Sequence, residues 1–304
     1  MSASPPQVKF ELSSLGGVLS FYKDPGIPHD IKPQIIYKCF EACAKSQIPS
    51  IVQAFNACEG FGEVAFLWVW YILLQCMTSP EIKCLEIGVY KGRTLAMLSL
   101  IAKALNKNCI LYGVTPLTEA GDKFSTYPPG VPENYLYAIK QTLWTAWSIG
   151  NKHLPPQTYN MPTIVRGLSQ EYPVICETSN RGPYDIVYID GCHDYEVVCS
   201  DIKHYGAMLK QGGFLVFDDG ASDVPHAFGQ FLGHPDVAKA IRDCVTPDKT
   251  YVEMMMVGHM RVFYKVGMTH EVKPVDDTPD VKVIEPGNGR RIVIDRGAHC
   301  GEAV

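Results

Sequence analysis

The sequence predicts an α/β fold built on a doubly wound, mostly parallel sheet of seven strands. Short apolar runs alternate with helical patterns through the middle of the chain, and glycine-bearing turns follow several of the runs. The last two runs, Tyr251–Val257 and 260–266, flank Gly258 and His259, a pair typical of a tight antiparallel hairpin. We therefore expect a parallel sheet that ends in an antiparallel hairpin.

Five apolar runs are the predicted parallel strands: 82–88, 109–114, 163–167, 184–190 and 214–219. Apolar residues spaced three or four apart predict a helix after the first and the fourth of them. The helix after the fourth strand is expected to continue through Leu209 and to end at Gly212 and Gly213. A further helix is predicted over 235–245.

Three segments lie outside this core. We expect residues 1–60 to form an N-terminal helical extension or lid, and residues 267–304 a C-terminal extension with a small hairpin at 281–284 and 291–295. The main domain, 61–266, contains a long proline-rich insertion at 115–162. A helix in this insertion should face the sheet through Leu136, Ile139, Leu143 and Trp147, and its aromatic residues predict either a lid over the site or ordinary packing.

Composition excludes several classes of protein. The chain has 304 residues, of which 46% are hydrophobic, and a formal charge of −5. Such a chain is neither disordered nor suited to sequence-independent nucleic-acid binding. The apolar run 65–74 is too short to span a bilayer and is expected to be a buried helix. Eleven cysteines without a close framework or a signal sequence predict reduced thiols in a cytoplasmic protein.

The end of the first strand carries the first candidate site. Glu86, Gly88 and Gly92 are followed by Thr94 at the start of a helix. Two glycines four apart let the backbone approach a ligand closely, and ligands bind at the carboxyl ends of strands in such sheets. A side chain at Gly88 is therefore expected to block a ligand while leaving the fold largely intact.

The second candidate site is a set of acids. Asp190 ends the fourth strand, and Asp218 and Asp219 end the fifth. Neighbouring strands are about 5 Å apart, so these carboxylates can surround one hard cation such as Mg²⁺, Mn²⁺ or Ca²⁺. Without a cation they would raise one another's pKa values. The alternative is that one aspartate caps a helix and the other is solvated.

His193 lies three residues beyond Asp190, in the loop that leaves the same strand end. An imidazole there could take a proton from a substrate hydroxyl near neutral pH. A surface or helix-initiating histidine is the alternative. His226 is the competing base, whereas His204, within a helix, is expected to be structural.

These motifs resemble those of the class I S-adenosylmethionine-dependent methyltransferases, whose first motif, acidic-x-Gly-x-x-x-Gly, matches Glu86, Gly88 and Gly92. The series from Asp190 through His193 to Asp218 and Asp219 resembles the metal-dependent O-methyltransferases that modify sugars and other natural products. The resemblance covers roughly residues 60–266 and implies a Rossmann-like fold.

The resemblance also implies S-adenosylmethionine as cofactor and Mg²⁺, or Mn²⁺ or Ca²⁺, as the ion. The implied cofactor residues are Glu86, Gly88, Gly92, Thr94, Thr115 and Ser169; the implied metal ligands are Asp190, Asp218 and Asp219; and His193 and Asp190 are the implied catalytic residues. The expected partner is a small-molecule hydroxyl acceptor, with neither nucleic acid nor membrane, and with homo-oligomerisation possible.

Two positions depart from that family's pattern. Thr115 stands where the second strand usually ends in an acid that holds the cofactor ribose, and Ser169 follows the third strand where an acid is common. Glu119, Asp122 or Glu171 could compensate. These departures keep two alternatives open: a catalytically silent binding protein of the same fold, and an unrelated metal-dependent hydroxylase or hydrolase.

Overall fold

The computed structural model describes residues 8–10, 12–119, 121–122, 130–150, 159–224, 231–266 and 292–294. In the two short terminal pieces, 8–10 and 292–294, only the backbone is described. His226 and the predicted strand at 281–284 lie outside the described residues.

The described residues contain a seven-stranded sheet. Its strands are β2 (Glu81–Ile87), β3 (Asn108–Thr115), β4 (Thr163–Arg166), β5 (Tyr184–Ile189), β6 (Leu209–Phe217), β7 (Tyr251–Val257) and β8 (Met260–Lys265). They lie in the order β4-β3-β2-β5-β6-β8-β7. Strand β8 is antiparallel to both of its neighbours, and the other pairs are parallel. The predicted fold class is thus confirmed.

Helices cover both faces of the sheet and extend it at the N-terminal side, as expected. They are α1 (Leu15–Lys23), α2 (Lys32–Gln47), α3 (Pro49–Ala57), α4 (Val64–Cys76), α5 (Arg93–Ala104), α6 (Pro132–Gly150), α7 (Tyr172–Ser179), α8 (Tyr195–Ala207) and α9 (Pro235–Cys244). Helix α4 holds the longest apolar run and is almost wholly buried, which confirms the expected core helix. Within the part of the chain that the structure describes, no helix is both long and apolar enough to cross a membrane.

The sheet changes direction between β2 and β5, because β3 and β4 lie on one side of β2 and β5 and β6 on the other. In open α/β sheets a crevice forms at this switch point, outside the carboxyl ends of the strands. The backbones there are tied together: Gly88 N donates to Val114 O at 3.0 Å, and Asp190 N to Ile87 O at 2.9 Å. The topology therefore brings the first glycine motif beside the Asp190 loop.

Two predicted elements differ in the structure. Helix α8 ends at Ala207, and Leu209, Gly212 and Gly213 lie within β6 rather than at the helix end. The glycines serve the strand instead: Gly212 has φ +79°, and a Cβ at Gly213 would lie 2.7 Å from the carbonyl oxygen of Asp185. Close backbone approach, not helix termination, requires glycine there.

The insertion helix α6 also packs differently from the prediction. Its main contacts are with α3 and α5 rather than with the strands of the sheet. Ile139, Leu143 and Trp147 are buried as expected, and the Trp147 indole donates to Ser99 Oγ of α5 at 2.7 Å. The apolar stripe was thus identified correctly, but not the surface that it covers.

The predicted hairpin of 281–284 with 291–295 stays a prediction, because 281–284 lies outside the described residues. Strand β9 (Ile292–Ile294) pairs in parallel with β1 (Val8–Phe10) in a separate two-stranded sheet. The partner of this segment comes from the other end of the chain.

Candidate active site

A cavity of about 270 Å³ opens at the switch point, close to the lower end of small-molecule pockets. Its walls come from the ends of β2, β3 and β4, from the loop after β5 and from α6 and α8; they include Gly88, Val89, Thr115, Pro116, Ser169, Gly191, Cys192 and Val197. Gly88 lines this cavity with its backbone at φ +101°, and a Cβ there would point at the carbonyl oxygen of Asp190, 2.1 Å away, rather than into the cavity. Glycine at this position therefore permits the close approach of the β2 and β5 loops that shapes the cavity wall.

The predicted cofactor residues divide into two groups. Gly88, Thr115 and Ser169 line the cavity together. Gly92 instead lies against α6, where a Cβ would meet Ile139 Cγ2 at 2.9 Å. Its role in this structure is close helix packing at φ +76°, at the N-cap position directly before α5.

Glu86 and Thr94 lie behind the cavity rather than in its wall. Glu86 is only 4% exposed and hydrogen-bonds to the Thr94 side chain. Burial raises the pKa of Glu86 to about 8, which Thr94 partly opposes and the charge of Asp218 reinforces. Glu86 thus adds a buried acid beside the aspartates, and its Oε2 has no hydrogen-bond partner among the described residues.

The three predicted metal ligands gather at the ends of β5 and β6. Asp190 and Asp218 share a hydrogen bond, and Asp218 is 7% exposed. Burial, followed by the charges of Asp218, Glu86 and Asp219, raises the pKa of Asp190 well above its usual range. Burial likewise raises the pKa of Asp218, against the opposing charge of His259. A cluster that disfavours its own ionisation in this way fits a site for a cation, whose charge would reverse the effect.

His193 stands between two carboxylates. Its backbone N–H and its ring Nδ1 both lie 2.7 Å from Asp122 Oδ2, and its Nε2 lies 3.1 Å from Asp219 Oδ2. Because a carboxylate only accepts hydrogen bonds, both contacts are made when each ring nitrogen carries a proton. Burial lowers the pKa of His193, but the hydrogen bond to Asp219 and the charge of Asp122 outweigh it, so that the pKa is raised. His193 thus presents Nε2, which faces the acid cluster, as a proton acceptor once the ring has lost its Nε2 proton and kept the Nδ1 proton that Asp122 holds.

Two further histidines belong to this cluster and were missed in the sequence. His234 Nε2 lies 3.7 Å from Asp219 Oδ2, and its backbone N–H donates to Asp219 O at 2.9 Å. His259, in the β7–β8 turn, lies 3.3 Å from Asp218 Oδ1 through Nε2. The hairpin itself was a usable signal, because an antiparallel strand beside β6 begins where β6 ends and so places its turn at the site.

Asp122, Glu171 and Glu119 are the residues that could replace the missing acid at the cofactor ribose. Asp122 lines the cavity but binds His193. Glu171 lies close to Gly167, where its Oε2 would be 2.5 Å from an added Cβ. Thr115 Oγ1 already accepts from Leu117 N at 3.4 Å, and Glu119 is exposed.

Ser169 is supported from below by α8. The Tyr205 hydroxyl donates to Ser169 O at 2.7 Å, and the Ser169 side chain lies close to the carboxyl of Asp201, whose two oxygens make no hydrogen bond of normal geometry among the described residues. Asp201 is 1% exposed, and burial raises its pKa from 3.8 to about 7, with Ser169 opposing the shift. The carboxyl beneath the cavity is thus protonated in the folded protein up to nearly neutral pH.

We expect Asp201→Asn to remove a pH dependence of stability. The unfolded state loses the Asp201 proton near pH 4 and the folded state only near pH 7, so the wild-type free energy of unfolding falls as pH rises between these values. The Asp201 carboxyl accounts for at most about 4 kcal/mol of this fall in the free energy of unfolding. Urea unfolding at pH 5 and pH 8 should show a smaller difference for Asp201→Asn, whereas the exposed control Asp30→Asn should keep the wild-type difference. An unaltered difference in Asp201→Asn would contradict the assignment.

Comparisons with known proteins agree with this architecture. Residues 85–220 match the family described as a methyltransferase domain. A curated relative, the uncharacterized protein R132 of Acanthamoeba polyphaga mimivirus, is 27% identical over 147 residues, which cover 48% of this chain and 55% of that protein. The match therefore spans about half the length of that relative.

Two solved structures are similar to this chain. CalS11, a TDP-rhamnose 3′-O-methyltransferase of calicheamicin biosynthesis, is 16% identical, with 77% of this chain and 94% of that chain covered and a TM-score of 0.47. TomG, the O-methyltransferase of Streptomyces achromogenes involved in tomaymycin synthesis, is 13% identical, with 77% and 99% covered and a TM-score of 0.47. The substrate and the pathways named here are those of CalS11 and TomG.

The strand order and the cavity at the switch point give this chain the Rossmann-like, doubly wound fold that the motif resemblance implied. Residues 85–220 are similar to a methyltransferase domain over somewhat less than half of the chain.

Proposed function

We propose that this protein transfers the methyl group of S-adenosylmethionine to a hydroxyl group of a small polar acceptor, such as a sugar or another natural product, with help from a divalent cation. One observation carries the proposal. The loop after β5 places Gly191 and Cys192 in the wall of the cavity, while Asp190 and His193 on either side belong to the acid and histidine cluster. A methyl donor in the cavity and a hydroxyl at the cluster would thus be neighbours.

The chain's own residues would divide the chemistry. Gly88, Thr115 and Ser169 would hold the cofactor. Asp190, Asp218 and Asp219 would hold the cation. Asp218 Oδ1 is suited to this role because it is buried and has no hydrogen bond among the described residues. A bound cation lowers the pKa of a coordinated hydroxyl and orients it. His193 would accept the hydroxyl proton at Nε2, and Asp122 would hold the opposite ring nitrogen as the proton moves.

Exposed aromatic rings beside the cluster are candidates for the acceptor walls. Phe231 is 57% exposed and packs against His234 and His259, at ring-centroid distances of 5.5 and 5.3 Å. Phe61, 68% exposed, packs against Tyr90 of the glycine turn. Rings at such positions can cover the apolar face of an acceptor and exclude water from the reacting groups.

The experiment has two readouts. Calorimetry should show S-adenosylhomocysteine binding to the full chain, and a radiolabelled methyl group should pass from S-adenosylmethionine to a member of a panel of hydroxyl-bearing sugars and phenols. Activity should vanish in excess chelator and return when a divalent cation is added. Full activity in chelator would contradict the role of the cation.

A second candidate function is a catalytically silent binding protein of the same fold. It is favoured by Thr115, which cannot replace a carboxylate and whose hydroxyl oxygen already accepts a hydrogen bond. This candidate predicts S-adenosylhomocysteine binding without transfer to any acceptor. No binding, with or without Mg²⁺, would exclude both candidates and favour an unrelated metal-dependent reaction.

A further inference from the structure

His259 is held rigidly beside the end of β6. It is 7% exposed, its ring meets Phe66 edge-on at 4.8 Å between centroids, and Phe231 packs on it at 5.3 Å. Its carbonyl oxygen accepts a hydrogen bond from Gly220 N at 2.9 Å. Packing and backbone together therefore fix where its nitrogen points.

The donor atoms around His259 are spaced as ligands of a metal ion would be. His259 Nε2 lies 3.3 Å from Asp218 Oδ1 and 3.8 Å from Asp219 Oδ1. In the described part of the chain, Asp218 Oδ1 is buried and has no hydrogen bond of normal geometry, despite the nearby imidazole. Ligands at about 2.1 Å from a first-row dication are about 3–4 Å from one another. The donor atoms of the three residues all lie within 4.8 Å of one another, which is close enough for one ion to bind them together.

We propose that His259 is a ligand of the divalent cation together with Asp218 and Asp219, and that its nitrogen makes the site prefer Mn²⁺, Fe²⁺, Co²⁺ or Zn²⁺ over Mg²⁺. The inference rests on the cation site of the proposed function and adds its ligand set and its metal class. Mg²⁺ is bound through oxygen and keeps several waters, whereas imidazole is a good ligand for the later first-row metals.

This assignment leaves His193 available as a base, because the two histidines approach opposite oxygens of Asp219. His193 Nε2 lies 3.1 Å from Oδ2, and His259 lies on the Oδ1 side. The Asp219 carboxylate thus separates the metal ligand from the proton acceptor. His234 is on the His193 side, 3.7 Å from Oδ2, and supplies a matched control.

The test is a titration of the metal-free full chain with Co²⁺, followed by its visible absorption, with competition by Mg²⁺. We expect Co²⁺ to bind with the spectrum of a mixed nitrogen and oxygen site, and an excess of Mg²⁺ to displace it poorly. His259→Phe keeps an aromatic ring against Phe66 and removes the nitrogen. It should weaken Co²⁺ binding at least about 100-fold, beyond the 10–100-fold typical of residues that only support a ligand. His259→Gln, with a smaller side chain, serves if the phenylalanine variant does not fold.

Two other histidines provide the controls. His234→Ala should leave Co²⁺ affinity close to that of the wild type, and His204→Ala, whose imidazole bonds to Ser200 within α8, should do the same. Unchanged Co²⁺ affinity in both His259 variants, loss of binding in His234→Ala, or equal affinity for Mg²⁺ would each overturn the assignment. Co²⁺ binding through His259 without methyl transfer would reject the proposed function alone. Transfer with Mg²⁺ unaffected by His259→Phe would reject the metal assignment alone.

Discussion

His193→Ala is expected to lower kcat by about 10²–10⁴-fold, the usual contribution of a positioned base. The geometry supports this size of effect. Asp122 holds Nδ1 at 2.7 Å, which leaves Nε2 directed toward the acid cluster at the end of β6. Removal of the ring takes away the proton acceptor but leaves the cavity wall at Gly191 and Cys192 in place. Affinities for S-adenosylhomocysteine and for the cation should therefore stay near those of the wild type.

The pH profile provides an independent test of this role. Because the pKa of His193 is raised above its usual 6.5, the wild-type rate should rise with pH at values above 6.5, where the ring loses its proton. His193→Ala should lose this rise. Asp122→Asn should keep the rise but move it to lower pH, since it removes a charge that favours the imidazolium. His204→Ala is the control and should keep the wild-type profile.

A change in kcat of less than about tenfold in His193→Ala would contradict a general base at this position. The next variant would then be His226→Ala. If neither variant affected the rate, the cation would have to acidify the hydroxyl enough for water or Asp190 to take the proton.

Gly88→Ala is expected to destabilise the whole protein by at least about 4 kcal/mol, which is rare for a single methyl group. A Cβ at this position would lie 2.1 Å from the carbonyl oxygen of Asp190 and 2.4 Å from Gly191 Cα, both of them backbone atoms. The residue also has φ +101°, where a side chain is strained. Thermal and urea unfolding would measure the loss, with Gly16→Ala, which has open space around its Cβ, as the control.

The clash at Gly88 contradicts the expectation that a side chain there would block the ligand and leave the fold largely intact. Gly191→Leu is the better test of the cavity. Its Cβ would be 3.6 Å from Ile87 O and 3.7 Å from Gly88 Cα, which are ordinary contacts, and the residue lines the cavity. We expect this variant to fold and to lose S-adenosylhomocysteine binding, while Gly16→Leu retains both. Normal binding by a folded Gly191→Leu would place the cofactor elsewhere.

The sequence by itself determined the sheet and most of its order of elements. Hydrophobic runs of strand length separated by helical spacing leave few other solutions, because a strand buried on both faces needs helices above and below it. The same reasoning placed Asp190, Asp218 and Asp219 at one edge, since carboxyl ends of parallel strands share an edge. Errors arose where one residue type serves two purposes: Gly212 and Gly213 suit a helix end, yet here they lie within β6.

Only the tertiary structure decided which side chains meet. Asp122 and His193 are 71 residues apart, and no local pattern predicts a contact between them. His234 and His259 reach Asp219 because backbone hydrogen bonds join their loops to Asp219 and Gly220, through His234 N and His259 O. Local periodicity reports which face of an element is buried, whereas the identity of its neighbours depends on long-range closure of the chain. The acid cluster could therefore be predicted from strand ends, but the histidines that surround it could not.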